Sequence, residues 1–242
     1  MTKEGLKVDL HVHSRMSDRP SHWILQKLGC PESFTSPYKI YDVAKQRGMN
    51  LVTISDHNTI NGSLEIAHLP DTFVSEEITA YFPEDKCKMH VLALDITEAH
   101  HEEISRLREN VYDLVAYLNQ ENIINILAHP LFDINHKLTK AHFEKMLLLF
   151  KHYEMNGARD DYQNQVLASV LENIGEKEIA LLADRHNISP VGEKPWVKYI
   201  TGGSDDHSSL NIARMYTVVK DAANKEEFFK GLRQGSSSAA GV

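Results

Sequence analysis

Cysteine and long apolar runs are both scarce in this sequence. Cys30 and Cys87 are the only cysteines, and two thiols so far apart form neither a C-x-x-C unit nor a disulfide framework. No stretch approaches the roughly 18 consecutive apolar residues of a membrane span. The opening MTKEGLKVDLHVH also lacks the apolar core of a secretory signal. These absences favour a cytoplasmic protein with no membrane partner.

Positive charge is also in short supply. With 26 Lys and Arg against 34 Asp and Glu, the net charge is −8, which argues against a nucleic-acid backbone as the main partner. The charge does not exclude a short oligonucleotide as a partner. The sequence does not determine the oligomeric state. The apolar fraction of 42% is typical of a globular protein. We expect one domain over 1–235 and a frayed, small and polar tail at 236–242, consistent with the boundary to a longer native chain.

Strand and helix patterns alternate along the chain. Short β-rich runs precede segments with helical spacing of apolar residues, which predicts parallel strands, covering helices and a closed barrel rather than an open sheet. The predicted strands are 7–12, 51–55, 73–79, 89–96, 123–128, 153–156, 198–203 and 215–219. The predicted helices are 38–47 with Gly48 after it, a short one over 58–67, 98–122 with Thr97 as N-cap, 139–151, much of 161–187, and 226–233.

Histidine is abundant, with 14 copies, and many of them stand beside carboxylates where predicted strands end. In a barrel those ends meet on one face, where functional sites are built. Imidazole and carboxylate together suit zinc, manganese and iron. A single histidine is usually a structural residue, but convergence from six strands favours a metal site. The residues are Asp9, His11, His13, Asp18, Asp56, His57, Glu76, Glu77, His90, His129, Asp205, Asp206 and His207.

Six short motifs occur in order over residues 9–208: DLHVHSRMSD, SDHNT, EEIT, HVLAL, AHP and GGSDDHS. Together they resemble the motifs of the PHP (polymerase and histidinol phosphatase) superfamily of metal-dependent phosphoesterases. The resemblance implies an α/β fold, a distorted (β/α)7 TIM-like barrel with its metal site at the C-terminal ends of the strands. It also implies two or three divalent ions, Mn, Fe or Zn. Ser75 stands where the family usually has glycine.

The resemblance further implies ligands for each ion. One ion would be held by His11, His13, Glu77 and Asp205, a second by Glu77, His90 and His129, and a third by Asp18, His57 and His207. The side chains of Asp9, Asp56 and Asp206 would orient these ligands. Ordinary capping or hydrogen-bonding aspartates fit those three positions equally well.

The implied activity is hydrolysis of a phosphoester by a hydroxide that the metal ions generate. Three ions (+6) with three carboxylates (−3) leave about +3, which suits the phosphomonoester dianion of a small phosphorylated metabolite. The side chain that protonates the leaving group is not identified. The alternatives are a noncatalytic or regulatory metal-binding domain of a larger protein, a nuclease or phosphodiesterase, and a metal-dependent amide or ester hydrolase.

Two loops are candidates for substrate recognition. Asn156 and Arg159 follow the predicted strand 153–156 and are predicted to bind substrate, because a guanidinium fork suits phosphate. A salt bridge at a helix start is the alternative role of Arg159. The connection 19–37 is long and contains Trp23 and Phe34, and we interpret it either as a lid over the metal site or as a packed surface excursion.

Overall fold

The computed structural model describes residues 5–17 and 32–241, which form a mixed α/β fold. This part of the chain has the strands β1 Leu6–Val8, β2 Ser75–Tyr81, β3 Lys88–Leu94, β4 Ile124–Ala128, β5 His152–Asn156, β6 Tyr199–Gly203, β7 Met215–Val219 and β8 Ser237–Gly241. Its helices are α1 Pro37–Gln46, α2 Asn61–Ile66, α3 Glu98–Leu107, α4 Val111–Gln120, α5 Lys140–Leu149, α6 Asp161–Asn173, α7 Glu176–His186 and α8 Lys225–Gln234. None of these helices is long and apolar enough to cross a membrane.

The strands form two sheets, one mixed and one antiparallel. In the five-stranded sheet, ordered β2-β3-β4-β5-β6, β3 runs antiparallel to both of its neighbours, whereas β5 is parallel to β4 and β6. The three-stranded sheet, ordered β1-β7-β8, is antiparallel throughout. The predicted α/β class is confirmed, but the described residues form no closed, distorted (β/α)7 barrel and their strands are not all parallel. The short loop between β2 and β3 reverses the chain, whereas a parallel pair needs a long crossover.

Isolated bridges occur in segments beside the strands, where the barrel prediction placed longer strands. Val12 pairs with Asp206, and His57 pairs with Glu77, each as a single parallel bridge. The predicted strand 51–55 is not formed as a ladder.

Side chains take over the backbone hydrogen bonds in these irregular segments. The Val12 N–H donates to Ser55 Oγ, and the Ser14 N–H donates to Asp56 Oδ1. The Ile54 N–H faces Ser63 Oγ in the same way. Because these amides are satisfied by hydroxyl and carboxylate oxygens, the chain has no need of a full strand ladder here.

The two longest predicted helices are each divided in two. Segment 98–122 contains α3 and α4, and segment 161–187 contains α6 and α7. Thr97 caps α3 as predicted, since its side chain accepts from the His100 N–H. Asn110 then begins α4 by accepting from the Tyr112 N–H. The apolar spacing continues across such breaks, which is why periodicity alone did not detect them.

The C-terminal segment is an edge strand and not a frayed tail. Strand β8 pairs antiparallel with β7 over its whole length, and Ser237 Oγ donates to the Ile200 carbonyl of β6. The small serine and alanine side chains carry no apolar alternation, so the strand gave no signal in the sequence. The prediction for 236–242 is therefore wrong over Ser237–Gly241.

Apolar side chains cover both faces of the five-stranded sheet. Leu114 and Leu118 of α4 pack in a cluster with Ile78 on one face. On the other face, Phe228 of α8 packs in a cluster with Leu92. Glu77 pairs with Leu92 in the register of β2 and β3, so its side chain points to this second, inner face.

Candidate metal centre

Glu77 lies at the centre of the histidine cluster, fully buried on β2. Its Oε1 lies 2.9 Å from His90 Nδ1 and 3.1 Å from His129 Nε2. The neighbouring Glu76 faces the opposite side of the strand, where its Oε2 lies 2.9 Å from His101 Nδ1 of α3. Of the two adjacent glutamates, only Glu77 therefore contacts the histidine cluster.

The second oxygen of Glu77 contacts three further imidazoles. Oε2 lies 3.2 Å from His11 Nε2, 3.1 Å from His13 Nε2 and 3.0 Å from His57 Nδ1. Asp205 Oδ1 approaches the same two nitrogens of His11 and His13, at 3.5 Å and 3.6 Å. One buried carboxylate thus spans two sets of imidazoles, as a bridging ligand would.

His207 lies at the outer edge of the cluster, where it lines an open cleft. Its ring stacks on the ring of His13, with centroids 4.1 Å apart, and its Nδ1 lies 3.7 Å from Asp205 Oδ1. His13, His57 and His207 offer ligand atoms that could share one ion. The predicted ligand Asp18 lies outside the described residues, as does the part of the 19–37 connection up to residue 31.

The cluster forms at one edge of the sheet although the strands differ in direction. His129 follows the end of β4, whereas His90 lies near the start of β3, opposite Ala128 in the register. Because β3 is antiparallel, its start meets the end of β4. His129 and Asp205 have φ angles of +29° and +50°, and such strained residues cluster at functional sites.

The donor set fits divalent metal ions. Four groups of three ligand atoms each lie within 4.8 Å of one another: His11, His13 and Asp205; His11, Glu77 and His129; His57, Glu77 and His90; and His13, His57 and His207. In the described residues, His57 Nδ1, His90 Nδ1 and Glu77 Oε2 are buried and, despite their short separations, form no contact with hydrogen-bond geometry. Two donors about 2.1 Å from one ion and about 90–110° apart are separated by about 3.0–3.4 Å, close to the separations around Glu77.

The pKa values of Glu77 and His90 favour metal binding, whereas at His57 an ion has to displace a proton. Burial would raise the pKa of Glu77, but the surrounding histidines hold that pKa well below its usual range. At His90, burial dominates and lowers the pKa to about 3. At His57, burial is outweighed by the carboxylates of Glu77 and Glu32, which raise the pKa to about 10. An ionised Glu77 and a neutral His90 are the forms that bind a metal ion.

Glu154 contacts the histidine cluster and was missed by the sequence analysis. It lies buried on β5, and its Oε1 is 2.7 Å from His11 Nδ1. Its Oε2 accepts from the His129 N–H at 3.0 Å and from Asn156 Nδ2 at 2.8 Å. Because a carboxylate oxygen accepts from an N–H, Glu154 favours the His11 tautomer with its proton on Nδ1, which leaves Nε2 to bind an ion beside Glu77.

Close backbone approach places Glu154 against His11. A Cβ atom on Gly203 of β6 would overlap both the Glu154 carboxylate and the Cβ of His11. Glycine at this position of the GGSDDHS motif therefore lets β6 lie against the metal centre.

The three aspartates that were predicted to orient the metal ligands accept hydrogen bonds mainly from backbone N–H groups and not from imidazoles. Asp9 accepts from the N–H groups of Ser204 and Ala213. Asp56 accepts from the N–H and hydroxyl of Ser14. The Asp206 carboxylate accepts four hydrogen bonds from the Ser208, Ser209 and Asn211 segment. Among the contacts of the described residues, these carboxylates fix the loops that carry the ligands and act on the imidazoles only through them.

An open cleft of about 270 Å³ leads to the metal centre. Arg159 lines it, with its guanidinium 3.8 Å from the Phe132 ring centroid and its Nη2 3.0 Å from Asp205 Oδ2. Asn156 is buried beneath, where its amide donates to Glu154 and Asp205. The structure therefore places Arg159 in reach of a ligand in the cleft, whereas the Asn156 amide is engaged inside the protein.

Glu32 is a second residue that the sequence analysis missed. It lines the cleft, and its Oε1 lies 3.5 Å from His57 Nε2 and 3.7 Å from His207 Nε2. No strand end precedes Glu32 in the sequence, so the pattern that revealed the histidines could not reveal it.

Comparison with known protein sequences gives a partial match. No protein-family model matches the chain. The chain is 40% identical over 73 residues to the uncharacterized protein MJ1587 of Methanocaldococcus jannaschii. The matched segment covers 30% of this chain and 41% of the length of that relative.

Solved structures share the fold over nearly the whole chain. One is a two-domain protein containing a predicted PHP-like metal-dependent phosphoesterase from Bacteroides vulgatus, with a TM-score of 0.62 and 14% identity, covering 100% of this chain and 67% of that chain. Another is PsfC from Pseudomonas syringae, with a TM-score of 0.58 and 14% identity, covering 99% and 93%. A third is the lesion-specific endonuclease PfuEndoQ of Pyrococcus furiosus, with a TM-score of 0.56 and 16% identity, covering 98% and 59%.

The chain therefore has the fold of the PHP-like metal-dependent phosphoesterases. The resemblance of its motifs to the PHP superfamily is confirmed at the level of the fold.

Proposed function

We propose that the protein is a metal-dependent hydrolase of phosphoester bonds, acting on a small phosphorylated molecule as a phosphomonoesterase. The observation that carries this proposal is the buried Glu77 carboxylate, whose two oxygens face separate sets of imidazoles at 2.9–3.2 Å. A carboxylate in this arrangement is suited to bridge two cations, and paired cations are typical of phosphoester hydrolases.

The residues divide into three proposed metal positions. His11, His13, Asp205 and Glu77 would hold one ion, and Glu77, His90 and His129 would hold a second. His57 and His207, with the predicted Asp18, would hold a third. Manganese, iron and zinc all suit this mixture of imidazole and carboxylate. When bound, these ions would lower the pKa of a water molecule to about 7 and offset the charge of a phosphoryl group.

Two side chains beside the proposed ions, those of Glu154 and Arg159, have separate proposed roles. Glu154 holds the His11 tautomer whose Nε2 lone pair faces the ions. Arg159 is placed to bind a non-bridging phosphoryl oxygen, because a guanidinium forms short, charge-assisted hydrogen bonds with phosphate. Its pairing with Asp205 and its stacking on Phe132 keep the guanidinium at the cleft wall.

The size of the cleft supports a small substrate. A volume of about 270 Å³ lies just below the range of about 300–1,000 Å³ typical of small-molecule pockets. The similarity in fold to an endonuclease keeps phosphodiester cleavage as the second candidate activity.

Three chromogenic esters test the proposal. The protein is reconstituted with Mn²⁺ and assayed on p-nitrophenyl phosphate, bis(p-nitrophenyl) phosphate and p-nitrophenyl acetate. We expect the monoester to be hydrolysed fastest, with a loss of about 100-fold or more in H129A and full activity in H68A, a matched change at an exposed histidine.

Other outcomes would assign a different activity. Preference for the diester would favour a nuclease or phosphodiesterase, and cleavage of the acetate alone would favour a carboxylic ester hydrolase. Metal binding with no turnover of any ester would favour the noncatalytic domain. Activity that survives H129A would contradict a role for this centre.

A further inference from the structure

The outer end of the metal centre contains a carboxylate that belongs to none of the predicted ligand sets. Glu32 Oε1 lies between two imidazole nitrogens, 3.5 Å from His57 Nε2 and 3.7 Å from His207 Nε2. Its side chain is about as buried as that of His57, at 10% and 11% exposure. Because Glu77 contacts Nδ1 of His57 and Glu32 faces Nε2, the two carboxylates lie on opposite sides of that ring.

The two distances match donors that meet at a wide angle around a common cation. Hydrogen bonds between charged nitrogen and oxygen are about 2.7–2.9 Å long, shorter than both separations. Two ligands about 2.1 Å from one ion lie about 3.0–3.4 Å apart at angles of about 90–110°, and somewhat farther apart at wider angles. Both separations from Glu32 Oε1 are thus longer than a charged hydrogen bond and correspond to two ligands of one ion at an angle of about 115–125°.

Neighbouring groups hold the glutamate in this orientation. Ser17 Oγ donates to Glu32 Oε2 at 3.2 Å, which leaves Oε1 free to face the imidazoles. The same hydroxyl accepts from the His57 N–H at 3.0 Å and lies 3.2 Å from His13 Nδ1. Ser17 therefore ties the Glu32 carboxylate to two of the histidine-bearing segments, as a partner that orients a ligand does.

We propose that Glu32 is a ligand of the third, outer divalent ion, which it would bind through Oε1 together with His57 Nε2 and His207 Nε2. The inference rests on the proposed function, because it extends the same metal centre. It assigns to this chain a carboxylate donor from outside the motifs that carry the family resemblance.

Metal stoichiometry tests the assignment without any activity measurement. The full chain is stripped with chelator, reconstituted with Mn²⁺ or Zn²⁺, passed through a desalting column and analysed by elemental mass spectrometry. We expect three equivalents per chain for the wild type and two for E32Q. The control E65Q makes the same change at a carboxylate paired only weakly with Arg15, at 3.8 Å, and is expected to keep three.

Two further variants separate loss of a ligand from loss of structure. E32H supplies another donor and is expected to recover the third equivalent, at least in part. The thermal midpoint in chelator is expected to be the same for E32Q and wild type, because the ligand role exists only with metal present. If E32Q fails to fold, recovery of the third ion in E32H or its continued absence decides the matter.

The outcomes distinguish the two proposals. Three equivalents in both wild type and E32Q would overturn the role of Glu32 while the proposed function stands. Two equivalents in both proteins would overturn it equally, since no outer ion would then be held. A wild type that binds no metal would overturn the proposed function itself.

Discussion

Replacing Glu154 by glutamine tests how the protein prepares His11 for metal binding. The glutamine has nearly the same shape, but it carries one donor and one acceptor where the carboxylate has two acceptors. The native oxygens receive hydrogen bonds from His11 Nδ1 on one side and from the His129 N–H and Asn156 on the other. No orientation of the amide satisfies both sides.

Either orientation of the new amide has a cost. If its oxygen faces His11, its NH₂ group opposes the donors of His129 and Asn156. If its NH₂ faces His11, it donates to Nδ1 and moves the imidazole proton to Nε2, the atom that faces Glu77. Partners of this kind contribute about 10–100-fold to metal affinity, which corresponds to about 1.4–2.8 kcal/mol.

Calorimetric titration of the metal-free protein with Mn²⁺ or Zn²⁺ measures this effect. E144Q is the matched control, because Glu144 is also buried and also contacts an imidazole, with Oε2 2.7 Å from His186 Nε2, but lies outside the metal centre. We expect E154Q to bind about 10–100-fold more weakly and E144Q to bind like the wild type. Equal affinity of E154Q and wild type would refute the tautomer argument.

Three further predictions concern the core, the pH dependence of stability and the cleft. L114A removes a fully buried side chain of α4 and should lower the free energy of unfolding by about 2–5 kcal/mol; urea denaturation measures this, and a loss below about 1 kcal/mol would contradict the packing. Burial lowers the pKa of His152 below its usual 6.5. Below about pH 6.5 His152 is therefore protonated in the unfolded chain but still neutral in the native state, and the free energy of unfolding falls as the pH drops. In chelator, H152Q should lose less stability than wild type between about pH 7.5 and about pH 5.5, and identical losses would count against the assignment. R159A should weaken competitive inhibition by inorganic phosphate by about 10–100-fold, as expected for a charged hydrogen bond, with R159K losing less; an unchanged inhibition constant would remove Arg159 from the substrate site.

Much of the metal centre could be predicted because its residues lie in local patterns. His11 and His13 are two residues apart, so an extended backbone points both rings to the same side. The same argument separates Glu76 from Glu77, and the structure places them on opposite faces of β2 as expected. Gly48 and Thr97 likewise mark helix ends through local chemistry that needs no knowledge of the fold.

Features set by distant contacts could not be predicted in this way. In the sequence, Glu154 has no feature that distinguishes it from other residues of a strand. It contacts His11 only in the folded protein, where β5 pairs with β6. Strand β3 is mostly apolar in composition, as is β4, which forms a parallel pair with β5, and the reversed direction of β3 follows from the short loop after β2. The edge strand β8 is formed from small residues and depends on the free edge of β7.

Metal content per chain tests the central claim most directly. The protein is purified without chelator or a metal-binding tag and analysed by elemental mass spectrometry, alongside H129A and the exposed control H68A. We predict two to three equivalents of manganese, iron or zinc in the wild type and in H68A, and a reduced content in H129A. A wild-type protein that holds no divalent metal, even after reconstitution, would contradict the account.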